Sequence, residues 1–139
     1  MRHYDESSLD RLFARRSVHG RFEPNADVHL DEREGTLVIH FELAGADADS
    51  LRVALDDGEL VVAGMRPPRD VHRETSLLRK EIQYGEFVTR VQLPVVVDER
   101  GSHAVYRDGI LTIRLPLAAS PTHPVVRTEI LMTVRKIHA

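Results

Sequence analysis

The chain has 139 residues, enough for one compact domain with its own core, and 42% hydrophobic with 29% charged residues is the balance of a folded globular protein. A formal net charge of -3 supplies no strong field for nucleic acid or an anionic membrane, and the basic Arg11, Arg15, Arg16 and Arg21 are diluted by Asp5, Glu6, Asp10 and Glu23 without interleaved aromatics. The lack of cysteine excludes disulfides, thiol nucleophiles and zinc–thiolate sites.

The first ten residues carry four charges and no apolar stretch, and no run approaches the roughly 18 apolar residues of a membrane span. They predict a soluble, cytoplasmic chain. Within 1–21 the only helical periodicity is Leu9, Leu12 and Phe13 at i, i+3 and i+4, after possible caps at Asp5 and Ser7. About three turns are marginal alone, so 1–21 is expected to be a flexible N-terminal arm.

From Val28 onward the period is two. Leu37, Ile39, Phe41 and Leu43 alternate with Val38, His40 and Glu42, which places four apolar side chains on one strand face. The pattern recurs at Val28 and Leu30, at Leu51, Val53 and Leu55, at Leu60 and Val62, at Phe87, Val91 and Leu93, and at Leu111, Ile113 and Leu115. Turn signals separate these runs, with Asp57-Gly58 and Asp108-Gly109 the best hairpin turns. Short strands joined by turns too short for crossover helices predict an all-β fold, an antiparallel, immunoglobulin-like β-sandwich over 22–117.

Residues 66–80 break the rhythm with two prolines and seven charges and read as a long loop that exposes Leu77 and Leu78. Beyond Pro116, Pro121 and Pro124 argue for a loose C-terminal extension, 118–139, ending in a detachable strand in which Ile130, Met132 and Val134 alternate.

In order and spacing, Leu43-Ala44-Gly45, the run from Gly58 to Gly64, Tyr84-Gly85-Glu86-Phe87 leading to Leu93-Pro94, and the run from Ala104 to Leu111 resemble the small heat shock proteins, whose α-crystallin domain would cover about Phe22 to Leu117. The resemblance implies an ATP-independent holdase that binds partly unfolded client proteins, prevents their aggregation and passes them to ATP-dependent chaperones. It implies a homodimer or small homo-oligomer in which Leu77, Leu78 and Arg79 add a strand to a partner's sandwich. It also implies a groove between Leu51 to Leu55 and Ser102 to Arg107, lined by Leu51, Val53, Leu55, Ala104 and Tyr106, that receives the tail of a neighbour. Leu9, Leu12 and Phe13 are the expected client-binding arm. A co-chaperone or scaffold module that binds one defined folded partner is the alternative.

Three departures stand out. Ala44 replaces the family's proline, which still permits a turn through Gly45. The family arginine two residues past Phe87 is Thr89, with Arg90 next door, and a one-residue shift in a strand moves a side chain to the other face. No strict I-x-I occurs in the tail, so Ile130, Met132 and Val134 are the substitute motif, and dimers or small oligomers are expected instead of a large shell.

No cofactor, metal or catalytic site is expected. The eight histidines lack H-x-x-x-H pairing and read as surface residues, although His29 and His40 fall on the polar faces of adjacent strands where they can meet. Asp56-Asp57 and Glu32 with Glu34 read as turn chemistry, and no serine lies in a nucleophile elbow. Period two alone leaves open whether Leu51, Val53 and Leu55 are core or an exposed groove.

Overall fold

The computed structural model describes residues 22–119 and 128–130. Its strands are β1 (Ala26–Asp31), β2 (Thr36–Glu42), β3 (Arg52–Asp56), β4 (Glu59–Arg66), β5 (Gly85–Gln92), β6 (His103–Arg107), β7 (Ile110–Pro116) and β8 (Thr128–Glu129). They form two four-stranded sheets of order β1-β2-β7-β6 and β5-β4-β3-β8, every pair antiparallel. This is the expected sandwich. Leu9, Leu12 and Phe13 lie outside the described residues, as do Met132 and Val134.

Alternation decides which side chains meet. Leu37, Ile39 and Phe41 of β2 and Leu111, Ile113 and Leu115 of β7 face Val53, Leu55, Leu60, Val62 and Phe87 of the other sheet in one buried cluster. Each fully buried aliphatic or aromatic side chain contributes about 1.5–3 kcal/mol. The expected hairpins close β3 onto β4 and β6 onto β7. Asp57 and Gly58 have φ of 46° and 77°, Asp108 and Gly109 of 55° and 77°, the two successive positive values of a type I′ turn.

Gly109 meets a second constraint. A Cβ there would lie 3.1 Å from Ala44, whose neighbour Leu43 donates its N–H to the Gly109 carbonyl at 2.8 Å. The Ala44-Gly45 turn is thereby tied to the β6–β7 hairpin, and Gly45 takes φ of 77° without the family's proline. Not foreseen from the sequence is a three-residue 3-10 helix, Ala48–Ser50, capped by Asp47, whose carboxylate accepts from the Asp49 N–H at 3.0 Å. Asp and Ser favour such local bonds, but the segment is too short to show helical periodicity.

Phe22 packs into the sandwich ahead of β1. Its ring is buried with its centroid 5.0 Å from that of Phe87, and the Arg66 guanidinium stacks over it at 4.3 Å. Beneath them Gly64 lets β4 approach: a Cβ would come within 2.7 Å of Phe87 and 2.8 Å of Leu51. Gly64→Ala should therefore lower the unfolding free energy by about 1–3 kcal/mol through overpacking. Urea denaturation with an unchanged m-value checks this.

Candidate functional site

Two edges of the sandwich carry the residues singled out in the sequence. The first is β3. Leu51, Val53 and Leu55 point inward and are buried, and Ala104 of β6 lies in the same cluster with Tyr106 packed against it. The question left open by period two is answered by what fills the space. The chain's own β8 pairs Thr128 with Leu55 and Glu129 with Ala54, and the Ile130 N–H donates to the Val53 carbonyl at 3.0 Å. Ile130 is 5% exposed and joins that cluster. The residues expected to form a groove are thus core-like because a segment of the tail closes them. The resemblance implied a neighbour's tail here, whereas the segment seated on β3 belongs to the same chain.

Tyr106 anchors the β6 side. Its hydroxyl donates to the Leu43 carbonyl at 2.5 Å. Burial pushes its phenol above the usual tyrosine range, opposed by a backbone hydrogen bond from Ala46 and by the Arg66 charge.

The second edge is β1, which among the described residues pairs only with β2. Val28 and Leu30 stand opposite Ile39 and Leu37, on the core-facing side, yet they are 42% and 46% exposed. An unpaired backbone edge beside half-covered apolar side chains is a template for strand addition.

The loop 67–84 forms no strand within the chain. Leu77 is 75% and Leu78 95% exposed, and Val71 and Ile82 are also exposed. Arg79 is held locally by Glu81 at 3.5 Å, an exposed pair of small energetic weight. The loop's base is tied by Arg66 to the Gln83 carbonyl at 3.2 Å, and Lys80 lies over the Tyr84 ring at 5.3 Å.

Thr89 and Arg90 occupy opposite faces of β5. Thr89 is buried, its hydroxyl donating to Glu23 at 3.3 Å. Arg90 points outward and bridges Glu59 at 2.7 Å and Asp56 at 3.4 Å, two carboxylates that face each other across β3 and β4. Its charge is engaged inside its own sheet. Among the described residues no group of three or more His, Asp or Glu side chains is arranged to hold a metal ion, and no helix is long and apolar enough to cross a membrane.

Tyr106→Phe should cost about 1 kcal/mol at neutral pH by removing one of the two donors to the Leu43 carbonyl, the other being the Ala46 N–H at 3.2 Å. A folded-state pKa raised above the unfolded one gives a contribution that is complete below the ordinary tyrosine value and falls away as pH rises through the raised value. The stability gap between the parent chain and the variant should therefore narrow in alkali, as measured by urea unfolding at neutral and alkaline pH.

Comparison with known proteins places this geometry. The Hsp20/alpha crystallin family profile matches residues 29–131. The chain is 31% identical over 93 residues to the small heat shock protein C4 of Rickettsia felis, covering 67% of this chain and 56% of that protein. It is 36% identical over 81 residues to the 18 kDa antigen 1 of Mycobacterium avium, covering 58% and 54%. Against these two it spans little more than half of the relative's length. It is 33% identical to the Alpha-crystallin of Mycobacterium tuberculosis over 79% of this chain and 78% of that one. Among solved structures, hspA from Xanthomonas axonopodis superposes with a TM-score of 0.62 at 30% identity, covering 70% of this chain and 96% of that chain.

Proposed function

We propose that this chain, which belongs to the Hsp20/alpha crystallin family, is an ATP-independent holdase that binds partly unfolded proteins instead of catalysing a reaction. The observation that carries this reading is the open β1 edge with Val28 and Leu30 half exposed beside it. Unpaired backbone groups next to apolar surface capture extended apolar segments with little sequence preference, because the hydrogen bonds are made by the main chain.

The same chemistry supports self-association. Leu77, Leu78 and Arg79 of a second copy add a strand to β1, where alternation lets Leu78 cover Val28 and Leu30 while Leu77 points to the other face. That removes the most exposed apolar side chain of the loop, Leu78, from water in each subunit. The working unit is a homodimer or small homo-oligomer.

The β3 edge is the second capture surface. Thr128–Glu129 and Ile130 hold it closed through a two-residue strand and one buried side chain. Burial of one isoleucine contributes about 1.5–3 kcal/mol, against a comparable entropy of ordering the segment. A closure so evenly balanced releases readily, and a client strand or the tail of a neighbouring subunit takes its place over Leu51, Val53 and Leu55. Leu9, Leu12 and Phe13 supply further apolar contacts to clients, with Met132 and Val134 extending the tail's hold. Work in the cytoplasm beside ATP-dependent chaperones that refold the released clients completes the reading.

Heat-induced light scattering of a model enzyme, without ATP, tests the holdase directly. Suppression at equimolar subunits is expected, and scattering equal to the enzyme alone would sink the proposal. Replacing Leu77 and Leu78 together with Ser should shift the mass measured by light scattering after size exclusion to that of a single chain.

A further inference from the structure

His29 and His40 sit on neighbouring strands at the same free edge but point away from the core. In the register His29 lies opposite Val38 and His40 opposite Asp27, so the two histidines are diagonal neighbours on the outer face of the β1–β2 hairpin. Their ring centroids are 5.5 Å apart and their planes are inclined by 70°. Neither ring joins an apolar cluster of the core. Both line an open concavity of about 640 Å³ with Asp31, Glu32, Arg33 and Arg114.

We propose that His29 and His40 form a two-imidazole binding site for a divalent transition-metal ion, zinc being the best match. Two imidazoles that share one zinc at about 2.0–2.1 Å with a tetrahedral angle place their ring centres about 5 Å apart. The observed 5.5 Å is close to that separation. The surroundings orient one ligand already. His40 Nδ1 is 3.0 Å from the Thr112 hydroxyl, which comes from β7, the next strand of the sheet, where Thr112 stands opposite His40. With Nδ1 engaged, Nε2 is the nitrogen left to face a metal, and the hydroxyl holds the ring as outer-shell partners hold ligating histidines.

Charge does not oppose a cation here. Asp31 and Glu32 formally balance Arg33 and Arg114 in the concavity, and Asp27 adds a carboxylate opposite His40. With two protein ligands, the remaining positions on the ion belong to water, which makes the site open and exchangeable instead of structural. Its effect falls on β1: a metal shared by the two histidines fastens the edge strand to β2 from the outer face. The site stands independently of the holdase reading, since it requires only the hairpin.

The test uses the full chain and zinc chloride, followed by calorimetric titration and thermal unfolding. One zinc per chain is expected to bind and to raise the unfolding midpoint, reversibly on adding a chelator. Affinity should fall at least about tenfold, the loss of one of two imidazole ligands, in both His29→Gln and His40→Gln. His29 is exposed, so its variant keeps the fold, which circular dichroism checks. His103→Gln, a change on the same sheet face opposite Arg114, should bind zinc as the parent chain does. Undiminished zinc affinity in His29→Gln would overturn the proposal and assign the metal to other histidines.

Discussion

One hydrogen bond, from the Ile130 N–H to the Val53 carbonyl, marks the point on which the arrangement of the sandwich turns. On its other side β3 is fully paired with β4 over five residues. On this side, among the described residues, its edge is met by Thr128, Glu129 and Ile130. Without them, Leu51, Val53 and Leu55 would face an opening between the sheets, and a buried wall of the core would become a surface. Local opening of so short a strand costs far less than global unfolding, because the five-residue β3–β4 ladder and the eight-residue β4–β5 ladder are untouched by it. The core of the sandwich and the lability of its edge are therefore separate properties of the same residues.

The opposite sheet shows the converse case. β1 is fully paired with β2 over six residues, and among the described residues nothing further covers the half-exposed Val28 and Leu30. A long exposed edge of this kind is a hazard in an ordinary monomer. Leu77 and Leu78 present a matching hazard, since the loop base is fixed by Arg66 while its middle makes no strand of its own. Two surfaces of complementary character, an edge strand and an apolar segment that forms no strand, are what the proposed dimer would bring together.

The sequence made the sandwich legible because two independent signals agreed. Inward residues such as Leu37, Ile39 and Phe41 recur every second position, and Asp57-Gly58 and Asp108-Gly109 supply the positive φ values that hairpins need. The pairing of His29 with His40 was legible for the same reason, since alternation fixes the face of each side chain. What alternation cannot supply is the identity of the covering layer. Leu51 to Leu55 read alike as core or groove, and only the seating of Ile130 distinguishes them. The strand that closes the groove was invisible for its length: Thr128–Glu129 is shorter than any periodicity, and the alternation at Ile130, Met132 and Val134 drew attention to residues beyond it. The 3-10 helix at Ala48–Ser50 escaped notice on the same ground.

The exchange of Thr89 and Arg90 shows how one position in a strand redirects electrostatics. Had the guanidinium stood at 89, it would occupy the buried face where Thr89 meets Glu23, and its ion pairing would involve whatever covers that face. At 90 it faces outward between Glu59 and Asp56, carboxylates that oppose each other in the β3–β4 register and would repel without it. The arginine thus relieves a like-charge pair on β3 and β4, of which β3 carries one wall of the groove. At 90 the charge is therefore engaged within the sheet of β3, β4 and β5.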